Sequence, residues 1–198
     1  MKSKLMLLFL ATLFLSGSCE KEFEYTLPPA TQKGANTIGC KVNGVVCIPH
    51  GAIIFSPYTK RLCYNEQTGE IDLGVLFLPT ENDIKNGIPR FGVSVRMDSI
   101  FSPGVFIDFS GTISIGYYDE HGGQLPDKEY YYTQNISGQL NITKLDKQNN
   151  IISGIFNFDG VLFLGLGEWD YSQLAKVTDG RFDIGYNEDG SCILEYVK

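Results

Sequence analysis

Glu168 and Asp170 flank Trp169, and Tyr171 follows. Alternate residues of an extended segment face opposite ways, so this stretch would set two carboxylates on one side and two rings on the other. Glycoside hydrolysis needs two carboxylates facing each other at a defined separation. Sugar binding asks for less, namely aromatic faces to stack on sugar rings and carboxylates to accept hydroxyl hydrogen bonds. The arrangement therefore suits glycan binding better than a glycan-active hydrolase. Tyr117-Tyr118 and Tyr130-Tyr131-Tyr132 add further rings. The competing reading is that these aromatics fill the core of a β domain, since strands favour them.

Other catalytic material is sparse. The two histidines, His50 and His121, are too few for a three-histidine zinc site and give a nucleophilic triad little to work with. Asp119-Glu120-His121-Gly122-Gly123 could supply a base or a metal ligand, but reads more simply as a polar hairpin loop with turn glycines. Asn187-Glu188-Asp189-Gly190 has oxygen ligands in a turn-like setting. Nucleophile-elbow, zincin, P-loop and EF-hand spacings are missing. The expectation is a non-catalytic chain with no metal and no cofactor.

Short alternating runs rich in β-branched and aromatic residues, broken by Gly, Asn, Asp and Pro, must position these residues. They predict strands at 37–42, 45–48, 62–65, 70–77, 91–97 and 105–116, then at 129–133, 138–145, 151–158, 174–178, 181–186 and 192–197. From Cys19 on, no stretch holds a helical period for three turns. The expected fold is all-β, an antiparallel β-sandwich or barrel of many short strands. Residues 146–150 read as a hairpin turn.

Cysteines add a register. In Cys40-Lys41-Val42-Asn43-Gly44-Val45-Val46-Cys47 the Asn-Gly pair is the strongest two-residue hairpin signal. Counting outward sets Cys40 opposite Cys47 at a hydrogen-bonded site, with α-carbons about 5.5 Å apart. That spacing is compatible with a disulfide, although side chains at such sites diverge, so two buried free thiols are the alternative. With Cys63 and Cys192 there are four candidates and three full pairings, among which sequence does not choose.

The beginning of the chain indicates where it works. Lys2 and Lys4 precede an apolar run from Leu5 to Leu15, much shorter than the roughly 20 residues of a membrane span and ordered like an export signal. Leu15-Ser16-Gly17-Ser18-Cys19 resembles a bacterial lipobox, with Ser16 where a large aliphatic residue is usual. The resemblance implies cleavage before Cys19 and a lipid on its thiol. Glu20-Lys21-Glu22-Phe23-Glu24 is similar to the acidic signal that takes some Bacteroidetes lipoproteins to the outer face of the outer membrane. Residues 1–18 are then a signal peptide, 19–33 a lipidated flexible tether stiffened by Pro28-Pro29, and 34–198 a single β-rich domain. Fourteen basic residues against 23 acidic ones remain after cleavage, and such a balance opposes phosphate binding. The expected partners are the membrane, through the lipid, and a glycan or envelope protein, but no nucleic acid.

Leu27-Pro28-Pro29-Ala30-Thr31-Gln32-Lys33-Gly34-Ala35-Asn36-Thr37-Ile38-Gly39-Cys40, followed by Val42-Asn43-Gly44 and Pro49, resembles the opening of a family of uncharacterised Bacteroidetes lipoproteins. Ser153-Gly154-Ile155-Phe156 and Val177-Thr178-Asp179-Gly180-Arg181-Phe182-Asp183 are similar to its closing strands. The family implies a β-rich envelope protein and supplies no catalytic residue; at Cys47 it more often has an aromatic residue. Asp98-Ser99-Ile100 resembles the O-glycosylation acceptor of Bacteroidetes exported proteins, which would place a sugar on Ser99. The sequons at Asn135 and Asn141 read as coincidence in a bacterial lipoprotein.

Overall fold

The computed structural model describes residues 25–51, 58–117, 129–132 and 137–195. The lipobox-like segment and residues 119–123 with His121 lie outside them. Among the described residues the strands are β1 (Thr37–Val42), β2 (Val45–Cys47), β3 (Lys60–Asn65), β4 (Glu70–Phe77), β5 (Arg90–Met97) and β6 (Gly104–Phe106). There follow β7 (Ser110–Gly116), β8 (Glu129–Tyr132), β9 (Gly138–Asp146), β10 (Ile151–Gly165), β11 (Glu168–Gly185) and β12 (Ile193–Glu195), with one short helix, α1 (Glu81–Lys85).

The fold is an all-β sandwich of two antiparallel layers. One holds β12-β3-β4-β5-β7-β8, and the other holds β2-β1-β11-β10-β9-β6. A single hydrogen-bonded path joins them, because β10 pairs with β9 as far as Phe158 and then with β8 at Val161 and Leu162. Strict alternation builds the first layer: Ile71, Leu73, Val75 and Phe77 of β4 point inward between half-exposed neighbours, and Phe91, Val93 and Val95 of β5 repeat the pattern. Ile38 and Val42 of β1, Phe156 and Phe158 of β10, and Phe182 and Ile184 of β11 face them from the second layer. Each such side chain contributes about 2–3 kcal/mol by leaving water.

The predicted register of the first hairpin holds. Cys40 pairs with Cys47, Lys41 with Val46 and Val42 with Val45, and Asn43 and Gly44 take φ of 49° and 87°. The bridge weighed for Cys40 and Cys47 is absent, however. Both are free and fully buried, and a hydrogen bond with Cys40, together with burial, pushes the Cys47 thiol well above its ordinary pKa. The disulfide links Cys63 to Cys192, which the β3–β12 pairing of Leu62 with Ile193 brings opposite each other.

Three expectations about elements need correction. The strand expected over 105–116 is two, β6 and β7. Those expected at 174–178 and 181–186 are parts of one strand, β11, which passes Asp179 at φ 53° without turning back. Asp179-Gly180 reads as a turn, but Gly180 is small because the Phe156 ring lies over it, just as Gly154 makes room for Phe182. The tether is not free to Lys33: from Tyr25 onward its residues are bound to the domain.

Two carboxylates hold that segment. Asp183, 1% exposed, accepts the amides of Lys33 at 3.0 Å, Gly34 at 2.9 Å and Ala35 at 3.1 Å, and the hydroxyls of Thr31 and Ser153. Burial alone would raise its pKa, but the hydroxyl and amide donors prevail and bring it down to about 2. Residues 31–35 and the facing ends of β10 and β11 thus meet at one buried group. Further back, the Tyr25 hydroxyl donates to Asp83 at 2.7 Å. Asp83 also takes the Thr80 amide and hydroxyl in the capping box that starts α1.

Candidate functional site

The segment around Trp169 lies at the end of the long β10–β11 hairpin. Phe163 pairs with Trp169 and Leu162 with Asp170, so the segment is a strand, as the alternation requires. The Phe163 and Trp169 rings are 4.8 Å apart at 53°. Beside them Leu164 and Tyr171 are 59% and 60% exposed, and Leu166 at the turn is fully exposed. An apolar cluster standing in water at a hairpin end is what a recognition surface offers.

The carboxylates behave differently from the rings. Asp170 accepts the Ser172 amide at 2.9 Å and hydroxyl at 2.6 Å, and the Gln173 side-chain amide at 2.9 Å. These donors, the Ser172 hydroxyl foremost, lower its pKa. Asp170 therefore caps the bulge in which β11 carries residues 171–173 between the partners of Leu162 and Val161. That bulge ends the alternation which would have set Trp169 and Tyr171 in one simple row. Glu168 is exposed beside the turn, opposite Gly165.

A second constellation escaped sequence reading. The Tyr25 oxygen lies 3.1 Å from His50 Nε2 as well as 2.7 Å from Asp83, and the Tyr25 ring packs edge-on against Phe77. Burial, then the Asp83 hydrogen bond, push the Tyr25 hydroxyl up to about 12. Asp83 is held low by its Thr80 and Tyr25 donors against the effect of burial. With its Oδ2 accepting from the Tyr25 hydroxyl and from the Thr80 amide and hydroxyl, this carboxylate fastens the chain down. Among the described residues no group of three or more His, Cys, Asp or Glu side chains is gathered to hold a metal.

Also unread was a cavity of about 270 Å³ on the outer face of β3-β4-β5-β7, walled by Tyr58 and Arg61 and floored by Gly74 and Gly92. Its signal in the sequence is weak: small residues at the outward positions of strands whose inward positions are large. Ser99 is exposed between β5 and β6, whereas the aliphatic residue of its motif, Ile100, is fully buried in the core. The chain matches no protein-family model, no curated protein and no solved structure.

Proposed function

We propose that this chain is a cell-envelope lipoprotein, anchored through Cys19 in the outer membrane and displayed at the cell surface, that works as a non-catalytic binding module for a glycan. The observation that carries the binding role is the aromatic end of the β10–β11 hairpin, where the half-buried Trp169 rests on Phe163 and Tyr171, two residues on, is exposed. Sugar rings stack on such faces. The hydrolytic alternative is disfavoured by the Asp170 carboxylate, whose three donors make it a turn cap. The export signal and lipobox-like segment support the location, and the clamping of residues 25–35 onto the domain supports a short reach from the membrane.

The test is a glycan array probed with the full chain and with Trp169→Ala. Binding that disappears in the variant is expected. Equal binding by both would remove the hairpin end as the recognition element. Replacement of Cys19 by Ser, followed by fractionation, tests the anchor: the protein should move from the membrane pellet to the soluble fraction.

A further inference from the structure

The outward face of a surface sheet ordinarily carries long polar side chains, but β4, β5 and β7 carry almost none at their centre. Across the strands, Arg61 is followed by Gly74, Ser94 and Thr112 in one row, and Leu76 by Gly92 and Ser114 in the next. Their inward neighbours Val75, Val93 and Ile113 are buried in the core, so the floor is held rigid from behind. A glycine inside a strand costs conformational entropy and usually marks a close approach by something.

At Gly74 nothing among the described residues makes that approach. Its backbone is not in the left-handed region, and an added β-carbon would meet nothing nearer than the Arg61 Cβ at 3.5 Å and Nε at 3.7 Å. Neither backbone conformation nor packing requires glycine there. At Gly92 the added carbon would press on the Ser114 hydroxyl oxygen, at 2.5 Å, with the Leu76 Cδ1 and Ser114 Cβ at ordinary contact distances of 3.7 and 3.8 Å. Above this floor, Arg61 Nε is buried and has no hydrogen-bond partner among the described residues. An unpaired buried donor is costly, and an oxygen seated over Gly74 would satisfy it.

The lining chemistry narrows the occupant. Among the described residues Arg61 is the one charged residue in the wall, and its Nη2 is already paired with Asp72 at 2.7 Å, in a chain of net charge −7. That leaves a near-neutral site with hydroxyls on one side, a guanidinium edge and the Tyr58 ring on the other. We infer that this trough is a binding site for a neutral saccharide, its hydroxyls meeting Ser94, Thr112, Ser114 and the Arg61 Nε, and its ring lying on the Gly74–Gly92 floor.

Register extends the site. Ser114 pairs with Tyr130 of β8, and Tyr131 pairs with Leu162, so the backbone register of β7 runs through β8 to the end of β10, where Phe163 pairs with Trp169. Leu162 belongs to the core; its neighbour Phe163 therefore faces outward, like Ser114. The trough and the hairpin aromatics share one face, along which an oligosaccharide would run across the strands. The inference rests on the reading of the chain as a binding module, though not on the hairpin being its site.

Calorimetric titration of the detergent-solubilised full chain with neutral and acidic oligosaccharides tests it, with Gly74→Val and Trp169→Ala in parallel. An added β-carbon at Gly74 stays at ordinary contact distance, 3.5 Å from the Arg61 Cβ, and valine is a β-branched residue suited to a strand, so Gly74→Val should fill the floor with its melting temperature retained, as a thermal melt run beside the titration checks. The expected result is binding of a neutral oligosaccharide that weakens roughly tenfold or more in Gly74→Val; weakening in both variants also supports the trough, as part of one continuous face. Weakening in Trp169→Ala alone would overturn the trough and keep the binding module. Preference for acidic sugars would overturn the neutral site. Binding of no saccharide would overturn both readings.

Discussion

Asp183 accepts the amide of Gly34 at 2.9 Å across 149 residues of chain, and through this bond the segment that precedes β1 becomes part of the sandwich. The carboxylate is buried and lies low, at about 2 against an ordinary 3.8. A group whose folded pKa is depressed stabilises the protein above its unfolded value, and loses that contribution as pH falls through the folded one. Stability should therefore be constant near neutrality and decline between about pH 4 and pH 2, by about 2 kcal/mol from this group. In Asp183→Asn the acid-dependent loss should shrink, as urea unfolding across this pH range would show.

Removing the acceptor outright is more severe. Asp183→Ala leaves the Lys33, Gly34 and Ala35 amides and the Ser153 hydroxyl without their partner, a loss of about 3 kcal/mol. Residues 25–35 should then be cut by protease under conditions in which the parent chain resists.

Cys63–Cys192 closes a loop with a sequence separation of 129. A cross-link of this span restricts the unfolded chain strongly, so Cys192→Ser should cost about 2–4 kcal/mol in thermal or urea unfolding. An unchanged midpoint would contradict the pairing.

The free thiols give a count. Cys40 and Cys47 are buried and free, Cys63 and Cys192 are joined, and Cys19 carries lipid in the proposed mature form. A thiol reagent should find no reactive thiol in the native lipoprotein and two after denaturation without reductant.

Much of the fold was legible because it is local. Alternation marked β4 and β5, and Asn43-Gly44 specified both the first turn and the Cys40–Cys47 register. What was not legible depends on distant partners. Asp183 looks like any strand-end acid until Gly34 arrives from the other end of the chain, and Gly180 looks like a turn residue until the Phe156 ring is laid over it. The choice of Cys192 as partner for Cys63 follows from β12 returning to β3, which no spacing reveals. At the candidate site the Trp169–Tyr171 cluster could be found from residue type, whereas the trough could not, since glycines and serines on three strands become a cavity only when the strands lie side by side.

A saccharide-binding face running from Arg61 to Trp169 would show itself in the amide and indole NMR shifts of the chain carrying Cys19→Ser, titrated with a neutral oligosaccharide. Shifts concentrated at Gly74, Gly92, Ser114 and the Trp169 indole are expected. Shifts confined to another surface, or none at saturating sugar, would contradict it.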